Sequence, residues 1–596
     1  EAGSMVMAKL TKEKLADAIE YSRRKLEPFR RKRLDAVRTY VGANYSDENP
    51  TLKMPVNLLE MALSIYKRQL AASRPRVVVT AKKSENRPLA LDLELVLNQQ
   101  LKEMRFEDSL SQWVTDALFS IGIMKVGLSP SDETVAELYG QYRDAGKVFA
   151  DVVDLDDFVV DMTAKKWDQS QYIGNRYQLP YDYVIDTDLF GDKTRKIRET
   201  IVGVTNEQGD QRVGSVSIGL DRYQGHDIHR VAEFWDIYIP YERKIITFQS
   251  QDDGGIDPTN IVDEKDWSGP EEGPYHILSY GDVPGNLMPL SPIANLMDLN
   301  DLSNSVFRKL ARQAQRQKTI TVVAGGAEED GERIVRSDDG DTIRSDRPEA
   351  TREARFGGVD QASLAFLIQI KDLFSYLGGN LDTLGGLSKG ADTLGQERLL
   401  KQASSMKIVD LQERTTQSVK RVVETIGKYI YYDPIGTYPF SKTFENGITI
   451  NTDFAPEARE GEFIEYEIDI APYSMQDRSP AERVQSIMEL MQGVIIPMAP
   501  MMTQFGIKPD MQKFLHYVSK YSNTPEIDEI LGLMTDQDMQ MAMQMNGGES
   551  PRQSPVTTRR YIREGRSGQT RQGRDDDMVR MLMGAATNPS NMTGME

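Results

Sequence analysis

Five aspartates crowd into residues 151–161: Asp151, Asp154, Asp156, Asp157 and Asp161. Paired carboxylates of this kind hold the two ions of metal-dependent nucleases. A tight turn between two strands accounts for the same residues at less cost, and it is the reading adopted. His226 and His229 stand three apart with no third ligand at matching spacing, so no zinc site is expected. Four histidines in 596 residues leave few candidates for imidazole acid–base chemistry. The stretch GGLSKGADT, from Gly385 to Thr393, has glycines and a lysine but lacks the Gly-Lys-Ser/Thr step that cradles a nucleotide phosphate. The sequence therefore predicts no enzyme, no metal and no cofactor.

The remaining chemistry is charge. Arg308, Arg312 and Arg316 recur every fourth residue, with Lys309 beside them, and would share one helical face. Arg30, Arg31, Lys32 and Arg33 form a basic run that reads as a solvated face, with contact to DNA or an acidic neighbour as the alternative. The net charge of −19 argues against tight, sequence-independent binding to DNA, which needs a basic surface. There is no cysteine, which removes disulfides and thiolate sites and fits folding in a reducing cytoplasm. No apolar run is long enough to span a bilayer, and no basic-then-apolar leader pattern opens the chain, so neither a membrane span nor the secretory route is expected.

These groups must be positioned by several packing units, since the chain exceeds what one core organises and 39% apolar residues can supply more than one. Helical spacing predicts a helix from Thr11 to about Gly42, and a second after Asn57 that stops at Arg74-Pro75 before a strand at Val77–Thr80. Helices follow at about 87–104 and 108–120. Gly122 and Gly127 then bracket a short strand. Residues 145–285 read as an α+β region with strands at Val231–Ile239 and Lys244–Phe248.

From Ser291-Pro292, a good N-cap and first turn, a helix is predicted to about Gln317. A small insert follows, with strand-like Thr319–Val323 and Arg333–Arg336 and then Asp338 to Arg347. A return helix covers about Asp360–Leu377, its apolar face marked by Leu364, Leu367, Ile370 and Phe374. Next comes a glycine-dense segment, Gly378–Gly390, that signals either a mobile loop or a close backbone approach. Thr393 and Gln396 form a capping box for a helix to about Ile430. Ile464, Tyr466, Ile468 and Ile470 alternate with acids as a half-buried strand. Beyond it lie Met-rich helices opened by Ser479-Pro480, and an arginine-rich polar tail beyond Gly547.

Three segments carry a resemblance: PVNLLEMALSIYKRQLAASRPRV, DALFSIGIMKVGL and VDLDDFVVDMTAKKWDQSQYIGNRY. Followed by helix, small β insert, helix, glycine-rich loop and capped long helix, they make the order of parts similar to the tailed-bacteriophage portal, or head-to-tail connector, family over about residues 50–540. The resemblance implies a predominantly helical α+β subunit with wing, stem, clip and crown, assembling into a ring. Its parts would be a helical arm (1–49), the wing (50–291), stem helix one (292–318), the clip (319–358), stem helix two (359–377), the tunnel loop (378–392), the long helix with further wing strands (393–478), the crown (479–546) and the tail (547–596).

The family implies a twelve-membered homo-oligomer at the unique vertex of a virion, made in the host cytoplasm. Double-stranded DNA would pass through its channel, and its partners would be the terminase motor, the major capsid protein and an adaptor or tail protein. Candidate tunnel-loop residues are Gly378, Gly379, Asn380, Gly385, Gly386, Lys389 and Gly390. Candidate clip contacts are Glu328, Glu329, Asp330, Arg333, Arg336 and Arg344. The stem stripe Arg308, Lys309, Arg312 and Arg316 has two open destinations, the channel wall or a subunit interface and solvent. Another head-shell protein, minor capsid or scaffold-like, is the alternative reading, with a metal-dependent DNA enzyme behind it.

Overall fold

The computed structural model describes residues 11–42 and 56–475, except 130–134, 139–140, 145, 188, 202–229, 252–254, 327, 338–343, 345–350, 357, 385–405, 444–448, 460 and 472–473. The described residues belong to one unit, Glu1–Arg478. The expected crown helices and tail lie outside them.

Helix α1 (Lys12–Val41) ends on Gly42, whose left-handed φ of 78° lets its amide reach back to the last carbonyls. Helix α2 (Leu58–Leu70) is capped by Asn57, which accepts from the Glu60 amide at 3.1 Å. Strand β1 (Val77–Ala81) follows, as its β-branched run requires. Helices α3 (Arg87–Glu103) and α4 (Phe106–Phe119) lead into β2 (Gly122–Ser129). Leu93, Leu97, Leu110, Trp113 and Leu118 are buried in the largest core, which they share with α2 and the later long helix.

Strand β2 sits between β12 (Tyr275–Leu278) and β5 (Lys147–Val153), with the hairpin β3 (Val135–Leu138) and β4 (Gln141–Asp144) set between β2 and β5 in sequence. A second antiparallel sheet runs β11 (Ile256–Asp266), β10 (Lys244–Ser250), β9 (Arg230–Ile239), β7 (Ile173–Pro180), β6 (Phe158–Val160), with β8 (Thr200–Ile201) alongside β9 and the short helix α5 (Tyr181–Asp186) against it. One lysine joins the two sheets. Lys125 on β2 lies 3.0 Å from the Asp236 carboxylate and 3.0 Å from Asn175 Oδ1, and Tyr275 donates to the same Asn175 oxygen at 2.7 Å. A lysine this enclosed is tolerable because each of its neighbours is an acceptor or an aromatic face.

The aspartate run resolves into turn chemistry. A 3-10 turn at Leu155–Asp157 joins β5 to β6; Asp154 caps it, accepting from the Asp156 amide. Asp157 pairs with Arg176, and Asp161 accepts from Thr163 and from the Gln171 amide. The basic run of α1 departs from the solvated-face reading at two positions. Arg30 donates to the carbonyls of Leu155 and Phe158, and Arg33, only 4% exposed, pairs with Asp154 at 2.6 Å. Arg31 and Lys32 stay outside. Helix α1, an arm in the sequence reading, thus shares a core with the sheet, Leu15 and Ile19 packing with Val159 and Trp235.

The stalk elements are α6 (Ala294–Gln315), β13 (Lys318–Val323), α7 (Glu328–Arg336), β14 (Thr351–Phe356), α8 (Gln361–Leu377) and the one-turn α9 (Leu381–Leu384). Helix α10 (Met406–Tyr432) then returns through the main core, followed by the hairpin β15 (Tyr438–Thr443) and β16 (Thr449–Phe454). Strand β17 (Tyr466–Ile470) pairs antiparallel with β1. It begins later than the alternation suggested. Residues 463–465 form a 3-10 turn, so Phe463 is buried in place of Ile464, which is exposed.

Gly122 is a packing requirement: a Cβ there would overlap the carbonyl oxygen of Trp113. Gly122→Ala is expected to cost about 1–3 kcal/mol, read from urea denaturation. A second outcome concerns pH. Burial pushes the Asp116 carboxyl up to about 7 against the pull of Arg33, 3.8 Å away. The folded chain therefore holds this proton more tightly than the unfolded one, and the Asp116 contribution to stability falls as pH rises from about 4 to about 7. Asp154 has the opposite sign: burial raises it, but the Arg33 charge and hydrogen bonds win and hold it below the ordinary range. Asp116→Asn is expected to exceed the parent in stability by a margin that grows over that window, at most about 1.4 kcal/mol per pH unit. Parallel pH profiles for the two proteins would contradict this.

Candidate functional site: a two-helix stalk with a mixed tip

Helix α6 has 22 residues, about 33 Å at 1.5 Å per residue. Its base is fixed by polar contacts. Ser291 Oγ accepts from the Ala294 amide at 3.0 Å and donates to the Leu118 carbonyl at 2.7 Å, so it caps as expected although the helix proper begins three residues on. Asn304 accepts from the Val56 amide at 2.8 Å and donates to its carbonyl at 3.1 Å; Asn300 accepts from the Leu58 amide at 3.1 Å. Both asparagines are buried. The sequence reading missed them; their signal is two amides four residues apart on a face that also carries Leu296 and Ser303.

At the far end α8 begins on Asp360, which accepts from the Ala362 and Ser363 amides and from the Ser363 hydroxyl, while its own amide donates to Gln313 of α6. The Ser363 hydroxyl and the two amides hold this carboxyl below its usual range, with the Lys309 charge adding to them. Lys309 therefore lies near the start of α8. Arg308 is half-buried, and Arg312 and Arg316 are exposed, with Arg316 just past the end of the helix.

The tip differs from expectation. Strand β13 appears where predicted, but its partner is β14, in register from Lys318↔Phe356 to Val323↔Thr351. Residues 333–336, expected as strand, belong to α7. The reason is charge spacing: Glu329–Arg333 and Glu332–Arg336 pair at one helical turn, with acids in the first turn and arginines in the last. The candidate contacts Glu328, Glu329, Asp330, Arg333 and Arg336 thus lie together on one helix packed against β13, and Arg344 is exposed.

The glycine-dense segment is described only in its first part; Gly385, Gly386, Lys389, Gly390 and the Thr393–Gln396 capping box lie outside the described residues. That first part is a tight bend. Gly379 (φ 93°) and Asn380 (φ 60°) take left-handed backbone, the Asn380 amide donates to the Ser375 carbonyl at 2.7 Å, and the Asp382 amide donates to Ser375 Oγ at 3.0 Å. Tyr66 Oη donates to the Gly378 carbonyl at 2.8 Å, and Lys407 Nζ to the Leu377 carbonyl at 2.7 Å. Both partners come from distant elements and neither was legible in sequence.

The seam between α6 and α8 buries Ile370 and Phe374 and half-buries Leu367. Leu364, expected on this face, points aside. With Phe366, Ile368, Leu373 and Leu377 it is 44–54% exposed. At about 100° per residue these residues form two stripes, Phe366/Leu373/Leu377 and Leu364/Ile368, about half a turn apart and on either side of the seam. The remaining face, opposite α6, carries Gln361, Ala365, Gln369, Asp372 and Tyr376, all exposed.

No family model matches this chain. No curated protein matches it either. Among solved structures, a chain of one described as "Virion of native gene transfer agent (GTA) particle" is similar at 12% identity and a TM-score of 0.35, over 80% of this chain and 94% of that one. A chain of "Neck of empty GTA particle computed with C6 symmetry" is similar at 12% identity and a TM-score of 0.34, over 79% of this chain and 99% of that one. Likenesses this distant assign neither fold nor role.

Tyr66→Phe leaves the Gly378 carbonyl without this buried donor, at a cost of about 1 kcal/mol. Amide hydrogen exchange at 378–384 is expected to quicken while exchange in α3 and α4 is unchanged; uniform quickening across the chain would contradict a local role.

Proposed function

We propose that this chain is a portal subunit, one stave of a closed ring that forms a channel for genome packaging and ejection at the unique vertex of a virion and has no enzymatic activity of its own. The carrying observation is the pair of apolar stripes on opposite flanks of α8. An isologous dimer would cover one self-complementary patch and leave the other stripe wet. Two different flanks call for a head-to-tail contact, in which each copy offers one stripe to each neighbour, and such contacts close into a ring where the rotation between neighbours divides the full turn. Burying a Phe or Leu side chain is worth about 1.5–3 kcal/mol, so several per contact supply real association energy.

The order of parts supports the same reading. A body of mixed sheet and helix carries a stalk of two helices with a small tip, and the stalk returns through a glycine bend to a long helix. In this reading the tip, with its acid-rich α7, docks the terminase and later an adaptor or tail protein. The body meets the major capsid protein. Double-stranded DNA passes through the centre, and the subunits are made in the host cytoplasm before assembly.

Native mass spectrometry tests the proposal. Twelve copies of a 67.3 kDa chain give about 808 kDa, and thirteen copies would support it equally. Phe366→Glu and Ile368→Glu, one on each flank, are each expected to abolish the ring while leaving the circular dichroism of the monomer intact. A parent chain that stays monomeric under all assembly conditions, or that cleaves DNA when given divalent metal, would overturn it.

A further inference from the structure

Where the two sheets of the body meet, four side chains come together whose chemistry goes beyond an ion pair. Lys125 and Tyr275 stand directly opposite each other on β2 and β12. In the other sheet Asn175, Asp236 and Thr247 form a row across β7, β9 and β10, each opposite the next. Strand register thus brings an amine and a phenol from one sheet to a carboxamide and a carboxylate from the other. Lys125 Nζ lies 3.0 Å from Asn175 Oδ1 and 3.0 Å from Asp236 Oδ2. A C=O bond is about 1.2 Å long, so the carboxamide carbon is at most about 4.2 Å from the amine nitrogen.

Each neighbour has a part in joining that nitrogen to that carbon. Asn175 Nδ2 donates to the Arg176 carbonyl at 3.2 Å, which keeps the carboxamide oxygen turned toward the amine. Tyr275 Oη donates to the same oxygen at 2.7 Å, where negative charge develops when a nucleophile adds to the carbon. Asp236 is within reach of the amine proton, and its other oxygen accepts from Thr247 Oγ1 at 2.8 Å. The Tyr177 and Tyr275 rings lie 5.6 and 5.8 Å from Nζ, and Phe158 packs edge-on against Tyr275. Asn175 and Tyr275 are buried, and the Lys125 and Asp236 side chains are each 18% exposed, so little water competes at the carbon. Free amines and carboxamides react slowly in water. Fixing the two in contact supplies an effective concentration of about 10⁵–10⁸ M.

We propose that Lys125 and Asn175 join in an intramolecular amide bond, with Asp236 carrying the protons and Tyr275 holding the developing oxyanion. The Lys125 ammonium gives a proton to Asp236, and the freed lone pair attacks Cγ of Asn175. The C–N bond forms while the carbonyl electrons move onto Oδ1. Asp236 then passes its proton to Nδ2, the Cγ–Nδ2 bond breaks and ammonia leaves as Oδ1 recovers its double bond. The second proton lost by Nζ stays on Asp236, so the carboxyl that loses its cationic partner is left uncharged. The reaction needs no oxidant and no co-reactant. It ties β2 to β7, and so one sheet to the other, in a chain that has no cysteine with which to make a disulfide. The bond is independent of the ring reading.

Mass spectrometry of the full-length chain tests this. The intact mass is expected about 17 Da below that of the sequence, the loss of one ammonia when the lysine amine displaces it. After denaturation and trypsin, the peptides containing Lys125 and Asn175 are expected as one branched species, with no cleavage after Lys125. Lys125→Arg keeps a cation beside Asp236 but removes the amine nucleophile, and Asp236→Ala removes the proton carrier. Both are expected at full sequence mass with the circular dichroism of the parent. If either variant misfolds, the parent's branched peptide still decides. A parent chain at full mass after prolonged incubation overturns the proposal, as does a loss of this size that fragmentation assigns to any other residue. A branched peptide formed to the parent's extent in folded Asp236→Ala overturns the mechanism.

Discussion

A stalk made of two helices can bury only the faces they turn toward each other. In α6 and α8 that seam accounts for Leu310, Ile370 and Phe374, and it leaves α8 with apolar side chains on both flanks. A globular protein would place a third and fourth helix there, as this chain does around α2, α4 and α10. The stalk has none among the described residues. Its geometry is therefore set by one seam and by what anchors its two ends, and its exposed flanks are surfaces whose burial awaits other molecules.

Both anchors are polar. At the base, Ser291, Asn300 and Asn304 satisfy backbone groups of residues 56, 58 and 118, so the direction in which α6 leaves the body is fixed by hydrogen bonds with little tolerance in angle. At the return, Tyr66 and Lys407 hold the carbonyls that end α8, and the left-handed residues Gly379 and Asn380 turn the chain within two residues. Apolar contacts alone would let a long helix slide and pivot. Buried amides and hydroxyls, which are costly to leave unpaired, do not.

Charge is divided by the same logic. Arginines that look alike in sequence do different work according to what surrounds them. Arg33 is enclosed and neutralised by Asp154, with Asp116 near enough to be disturbed by both; Arg176 joins Asp157 to Glu233 inside the sheet. Arg312 and Arg316 remain in water. Surface pairs such as Glu332–Arg336 add a few tenths of a kcal/mol to a helix, whereas the enclosed ones locate α1 on the sheet.

Local chemistry by itself determined much of the punctuation of this protein: the Asn57 cap, the Gly42 stop, the strand after Pro75, the paired long helices and the first strand of the insert between them, although α2 stops at Leu70, four residues before the Arg74-Pro75 step expected to end it. Each depends on residues within a turn or two of one another, which is why spacing and residue type suffice. Where two local preferences competed, as between strand and charge-paired helix at 333–336, the pattern misled. Tertiary structure alone decided which strand partners β13, which two of four adjacent basic residues turn inward, and which glycines make a tight bend. It also decided that Leu364 faces out while Leu367 faces in. Those outcomes depend on groups far apart in sequence, such as Tyr66 with Gly378 or Asn304 with Val56, and no periodicity along one segment records what a distant segment will bring to it.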